Sequence, residues 1–195
     1  MKKMKRSIII VVIIATVLSL ITLYVRSRDN LRFKLSYEFG NFSEYKNGKS
    51  IKINIPINNR IKYINEKELL DILKNGTGII YFGYNTCPWC RNSVPILINA
   101  ALENDLKTIY YVDVHGINLN KIKKKLYSIL DEYLRVDSDG EKNLAVPDVY
   151  AVKKGKIKGH HIGTVLSYRD PTKGMNKKQK KELKEIYNNL IKEVK

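Results

Sequence analysis

The stretch from Gly78 to Cys90 constrains this chain more than any other. Gly-Ile-Ile-Tyr-Phe-Gly is short, apolar and aromatic, and Tyr-Asn-Thr then leads into Cys87-Pro-Trp-Cys90. A run of this length and character predicts one buried strand, and the polar turn behind it predicts the start of a helix. The two cysteines are the only ones in 195 residues. Where a strand hands over to a helix, the first sulfur of a Cys-x-x-Cys pair sits among the unpaired backbone N–H groups of the helix N-terminus, which stabilise a thiolate. Cys87 is therefore expected to have a lowered pKa and to be the nucleophile, with Cys90 one turn deeper as the resolving thiol. Pro88 suits the first helical turn, because its missing N–H would be unpaired there in any case.

The spacing speaks against three other readings of the pair. A structural disulfide closing so short a loop would remove little entropy from the unfolded chain. Two inert buried thiols would not need this spacing. A structural zinc site takes four ligands, and beyond the cysteines the soft ligands are only His115, His160 and His161. These histidines are read as surface residues of loops or strands. Dithiol redox chemistry remains, with no metal and no cofactor expected.

Residues 7–25 are nineteen in a row without a charge, and about twenty helical residues cross a bilayer core. The basic tail, residues 1–6, holds four positive charges, which by the positive-inside tendency keeps the N-terminus cytoplasmic and sends the remainder outward. The apolar run exceeds the core of a secretory signal, and Leu20–Arg26 lacks an Ala-x-Ala-like exit, so an uncleaved anchor is favoured over a cleaved signal. The expected location is the cell membrane, single-pass, with the folded domain outside, where protein disulfides persist.

The formal net charge is +17. Six of the 36 Lys and Arg residues lie at or before Arg28, leaving 30 against 19 Asp and Glu, an excess of +11 on the exported part. Such a field suits a lipid surface or wall polymer. No nucleic-acid reading motif is present, and nucleic acid is not expected as a partner. A wealth of Lys, Ile and Asn points to an AT-rich genome and a low-GC Gram-positive source.

Residues 26–49 read as a polar, turn-rich linker, and residues 50–195 as the domain. Ser50–Ile57 alternates at period two and predicts an edge strand, since Pro56 cannot donate to a ladder. Ile61–Ile64 is a second short strand. Asn65 caps a helix ending at Asn75-Gly76. After the dithiol, the helix from Pro88 contains Pro95, which should bend it. Thr108–Val114 predicts a strand, and Ile122, Leu126, Ile129, Leu130 and Leu134 predict a helix. Leu144–Val152 and Ile157–Ile162 around Gly155 predict a hairpin, and Asn176 caps a last helix.

This order of elements resembles the thioredoxin superfamily from about residue 50 to the end. The resemblance is carried by Cys87-Pro-Trp-Cys90 at a helix start, by Pro95, by Val146-Pro147 before the hairpin, and by Gly155 and Gly163. It implies an α/β thioredoxin-like fold, a central mixed sheet flanked by helices, here preceded by one N-terminal transmembrane helix. It further implies that Val146-Pro147 is a cis bond exposing backbone to a substrate strand, with Pro88 and Trp89 shaping the surface beside it. Asn85–Pro95, Val146-Pro147 and Gly163–Val165 are most similar to the bacteriocin-transport-accessory group of Gram-positive thioredoxin-like proteins.

The implied function is an extracytoplasmic thiol-disulfide oxidoreductase acting on exported proteins or peptides, working as a monomer with a further redox partner protein. The alternative is a non-catalytic accessory subunit of a peptide (bacteriocin) export system that keeps the fold as a docking surface. Two departures bear on the chemistry. Thioredoxins hold a buried Asp six residues before the first cysteine, where this chain has Tyr81, and a phenol is a poor base at neutral pH. The Pro-Trp pair is neither the Gly-Pro of thioredoxins nor the Pro-His of strong oxidases. The direction of electron flow is therefore left open.

Overall fold

The helix that carries the uncharged run does not stop where the charges resume at Arg26. The computed structural model describes residues 2–39 and 51–195, and its first element, α1, is a single helix over Lys2–Phe39. Among the described residues this helix alone is long and apolar enough to cross a membrane. The polar segment from Arg26, expected to be a linker, continues the helix through Phe39 and docks on the domain. Asn30, Phe33 and Tyr37 recur at helical spacing and are all buried, the two aromatics completely. The turn expected at Lys46–Lys49 lies outside the described residues, as does Ser50.

The sheet orders β1 (Ile61–Tyr63), β3 (Ile109–Asp113), β2 (Gly78–Gly83), β6 (Asp148–Lys153) and β7 (Lys156–Ile162). The first three strands run parallel, and β6 and β7 are antiparallel to their neighbours. Every residue of β2 is buried, as its central place requires. On one face pack α1, α3 (Pro88–Glu103) and α5 (Lys177–Glu193), and on the other α2 (Glu66–Asn75) and α4 (Lys123–Leu130). A two-stranded ribbon, β4 (Arg135–Val136) with β5 (Lys142–Asn143), lies outside the main sheet. The chain is thus mixed α/β, a five-stranded mixed sheet with helices on both faces and one N-terminal apolar helix.

The edge strand expected at Ser50–Ile57 does not form over its described residues, and α1 is the reason. Asn30 Oδ1 accepts from Ile61 N–H at 3.2 Å and Asp29 Oδ2 from Tyr63 N–H at 3.1 Å, so side chains of the helix occupy the edge of β1 that a further strand would pair with. The extended segment instead lies against the helix. Lys34 Nζ donates to Ile55 O at 2.7 Å, Ile55 N–H to Glu38 Oε1 at 2.6 Å, and Asn59 Nδ2 to Asn30 O at 2.8 Å.

The capped helices follow the sequence closely. Asn65 and Glu68 exchange hydrogen bonds of 3.0 and 3.1 Å, and Asn176 and Gln179 do the same at 2.9 and 3.0 Å. The hairpin turn has Lys154 and Gly155 in the left-handed region, and Gly155 N–H donates to Gly76 O at 2.9 Å. A Cβ at Gly155 would stand 1.9 Å from the Lys74 carbonyl oxygen, so the turn can rest on the end of α2 only with glycine there.

Candidate active site

Cys87 is the N-cap of α3, and its sulfur accepts the backbone N–H of Cys90 at 3.2 Å. The sulfur therefore takes up one of the unpaired donors of a sixteen-residue helix, at the positive end of its dipole. Pro88 occupies the first turn as expected, and Pro95 lies inside the helix. Cys87 is 3 % exposed and Cys90 fully buried, and no disulfide joins them. Burial pushes the Cys90 thiol well above its ordinary range, and the neighbouring Cys87 sulfur adds to this, while the Tyr81 hydroxyl acts against it.

Trp89 is half-buried and meets Tyr168 edge-on, with ring centroids 5.6 Å apart. Val146 packs on the same core cluster that contains both sulfurs. The Val146–Pro147 peptide bond is cis, and Pro147 O accepts from Gly163 N–H at 2.7 Å. Because Asp148 lies opposite Phe82, Pro147 flanks the end of β2, from which residues 84–86 lead to Cys87. All six residues singled out in the sequence therefore gather at the C-terminal end of the central strand. Leu166, 94 % exposed, stands on the loop that also carries Tyr168, and adds apolar surface there.

Three contributors were not anticipated. Tyr37, supplied by α1, places its hydroxyl 3.3 Å from that of Tyr81, behind Cys90. Burial holds both phenols well above their ordinary range, so both stay protonated. Tyr81 can donate to the buried sulfur but not accept its proton. Arg91, 1 % exposed, donates to the carbonyls of Tyr37, Asn85 (3.3 Å) and Ile51 (3.0 Å). Asn85 Nδ2 in turn donates to Ser36 O at 3.1 Å. The loop before the dithiol is thereby tied to the last turn of α1. The helical spacing of Asn30, Phe33 and Tyr37 was the available signal, masked by the polar residues between them.

Two of the three histidines depart from their reading as surface residues. His115 is exposed and stacks on Tyr84 at 4.0 Å. His160, by contrast, lies 2.7 Å from the buried carboxylate of Asp148, with its side chain 16 % exposed. His161 is half-buried against Tyr187. Burial lowers the His161 pKa from its ordinary 6.5. A depressed folded pKa means that the unfolded chain binds the proton first, so His161 contributes stability above about pH 6.5 that is lost as pH falls through the folded value. Burial raises the Asp148 pKa, an effect of opposite sign. A His161→Gln variant should accordingly lose less stability than wild type between neutral pH and pH 5, as read by denaturant midpoints; parallel profiles would refute this.

Among the described residues, no three His, Cys, Asp or Glu side chains cluster so as to hold a metal ion. No protein-family model matches the chain, and no curated protein is similar to it at a significant level.

Proposed function

We propose that this chain is a membrane-anchored thiol-disulfide oxidoreductase of the thioredoxin superfamily, with the dithiol on the outer side of the membrane. The observation that carries the reading is the Cys90 N–H donated to the Cys87 sulfur at the start of α3, with Cys90 itself buried one turn below. The strand order, the helices on both faces and the cis Val146–Pro147 bond support the thioredoxin assignment.

In the reducing direction, the Cys87 thiolate attacks one sulfur of a substrate disulfide. A Cys87–substrate bond forms, the substrate S–S bond breaks, and the second substrate sulfur leaves as a thiolate that takes a proton. Cys90 then loses its proton to water or to that leaving thiolate and attacks Cys87, closing the Cys87–Cys90 disulfide and releasing the first substrate sulfur. Two electrons pass from the dithiol to the substrate. The same steps reversed oxidise a substrate dithiol. Tyr81, held protonated, stabilises the transient Cys90 thiolate as a hydrogen-bond donor. Trp89, Val146 and Leu166 offer apolar contact to a peptide laid beside Pro147, whose neighbouring backbone would pair with it.

Exported proteins or peptides as substrates follow from the resemblance of Asn85–Pro95 and Gly163–Val165 to the bacteriocin-transport-accessory group, together with the N-terminal helix. A Cys90→Ser variant should accumulate mixed disulfides on Cys87 that are resolved only by added dithiothreitol, visible on non-reducing gels. Absence of adducts, together with no exchange by wild type on insulin or an oxidised peptide, would overturn the redox assignment.

A further inference from the structure

Where α1 leaves its apolar stretch, it runs beside the start of β1 and encloses a cavity of about 310 Å³. One wall is apolar and belongs to the last turn of the uncharged run, Ile21, Thr22 and Val25; around it stand Arg26, Arg60 and Lys62, the last with its ammonium paired to Glu68 at 2.9 Å. We propose that this cavity, with the cationic end of the domain around it, binds anionic phospholipid from the bilayer that α1 crosses. The inference rests on the membrane-anchored reading above and adds a ligand to it.

Three observations carry it. First, the height is right. The cavity straddles Val25–Arg26, the point where hydrocarbon-compatible residues give way to charge, so an acyl chain can lie along Ile21 and Val25 while its phosphate meets the cations.

Second, Arg60 is built in and not fully used. Its side chain is only 19 % exposed, its Nε is buried without a hydrogen-bond partner, and its nearest carboxylate, Asp105, is 3.8 Å away while lying 2.6 Å from Lys107. Arg60 also holds a left-handed backbone conformation (φ 65), fixed by Ile109 N–H donating to its carbonyl at 2.8 Å. A guanidinium short of partners beside a lipid-level cavity suits a phosphate oxygen.

Third, further cations lie at the same end of the domain, where the Asp105 carboxylate is held by Lys107. The parallel strands begin there, Arg26 donates to Lys107 O, and the β6–β7 turn brings Lys153, Lys154 and Lys156 alongside. The turn's place is fixed by Lys154 N–H donating to Thr77 Oγ1 at 2.9 Å, just before the start of β2. The dithiol loop lies at the opposite end, tied to Ser36 and Tyr37. At 1.5 Å per helical residue that is about 17 Å farther from the membrane than Val25. With its base on the lipid, the domain would present Cys87 at a set height above the bilayer.

The test uses the full chain reconstituted in nanodiscs of equimolar phosphatidylcholine and phosphatidylglycerol, then released and weighed by native mass spectrometry. Each cation near an anionic surface contributes enough for a preference of about tenfold to a hundredfold for retained phosphatidylglycerol. Arg26→Gln with Arg60→Gln should reduce this to near parity. Arg60→Lys should keep most of it, and Lys154→Gln with Lys156→Gln, both exposed at the β6–β7 turn, should weaken it. Equal retention of both lipids by wild type, or an undiminished preference in the double variant, would overturn the site. Displacement of phosphatidylglycerol by millimolar inorganic phosphate would also overturn it as a lipid site and make it a general phosphate site. A chain that fails to enter the nanodisc at all refutes the anchor reading, whereas one that enters without lipid preference refutes this inference alone.

Discussion

Arg91→Met is expected to destabilise the protein by about 3 kcal/mol or more, lowering the melting temperature in detergent by about 10 °C. The guanidinium is buried and serves three backbone carbonyls from three separate parts of the chain: Tyr37 at the end of α1, Asn85 in the dithiol loop and Ile51 in the extended segment. Methionine fills similar volume but donates nothing, so three acceptors lose a charged donor in a low-dielectric site. Arg91→Lys should recover only part of the loss, because one ammonium cannot span the three positions. Hydrogen exchange should accelerate at Ser36–Phe39 and at Asn85–Cys87, the segments the guanidinium joins. A melting curve and exchange pattern identical to wild type would show that this residue holds nothing together.

Cys87→Ala is expected to abolish thiol-disulfide exchange, a fall of at least about a thousandfold in rate, while leaving the melting temperature close to that of wild type. Only the sulfur is removed, and the rest of the α3 cap, including Arg91 N–H donating to the residue 87 carbonyl at 3.0 Å, can persist. Cys90, pushed up by burial and closed off from solvent, cannot take over as nucleophile. In cells the same variant separates the two readings of the chain. Loss of function follows if the dithiol does the work, whereas an accessory docking subunit would tolerate both cysteine replacements and fail instead on changes around Trp89 and Leu166.

The helix caps, the dithiol helix, the central strand and the hairpin were legible in the sequence because each is dictated locally. A capping residue, a proline, a glycine at positive φ or an alternation of apolar residues carries its meaning within a few positions. Tyr37, Arg91 and Asp29 were not legible, since each acts on a partner more than thirty residues away in the chain, and a polar surround disguised the apolar face of Asn30, Phe33 and Tyr37. The same contacts explain why an alternating segment at Ser50–Ile57 has no ladder over its described residues. Its periodicity was real, but the edge it would have joined is taken by α1.

The amino-acid sequence alone determined that a strand ends in Cys87-Pro-Trp-Cys90 at a helix start, behind a stretch apolar enough for a membrane, because backbone propensity, capping and hydrophobic length are properties of neighbours along the chain. Only the tertiary structure decided what stands around the dithiol. It placed the phenols of Tyr37 and Tyr81 behind Cys90, Arg91 beneath the loop, and α1 along the sheet edge. Burial pushes the Cys90 thiol up, and burial is a property of what packs together in space, not of what adjoins in sequence.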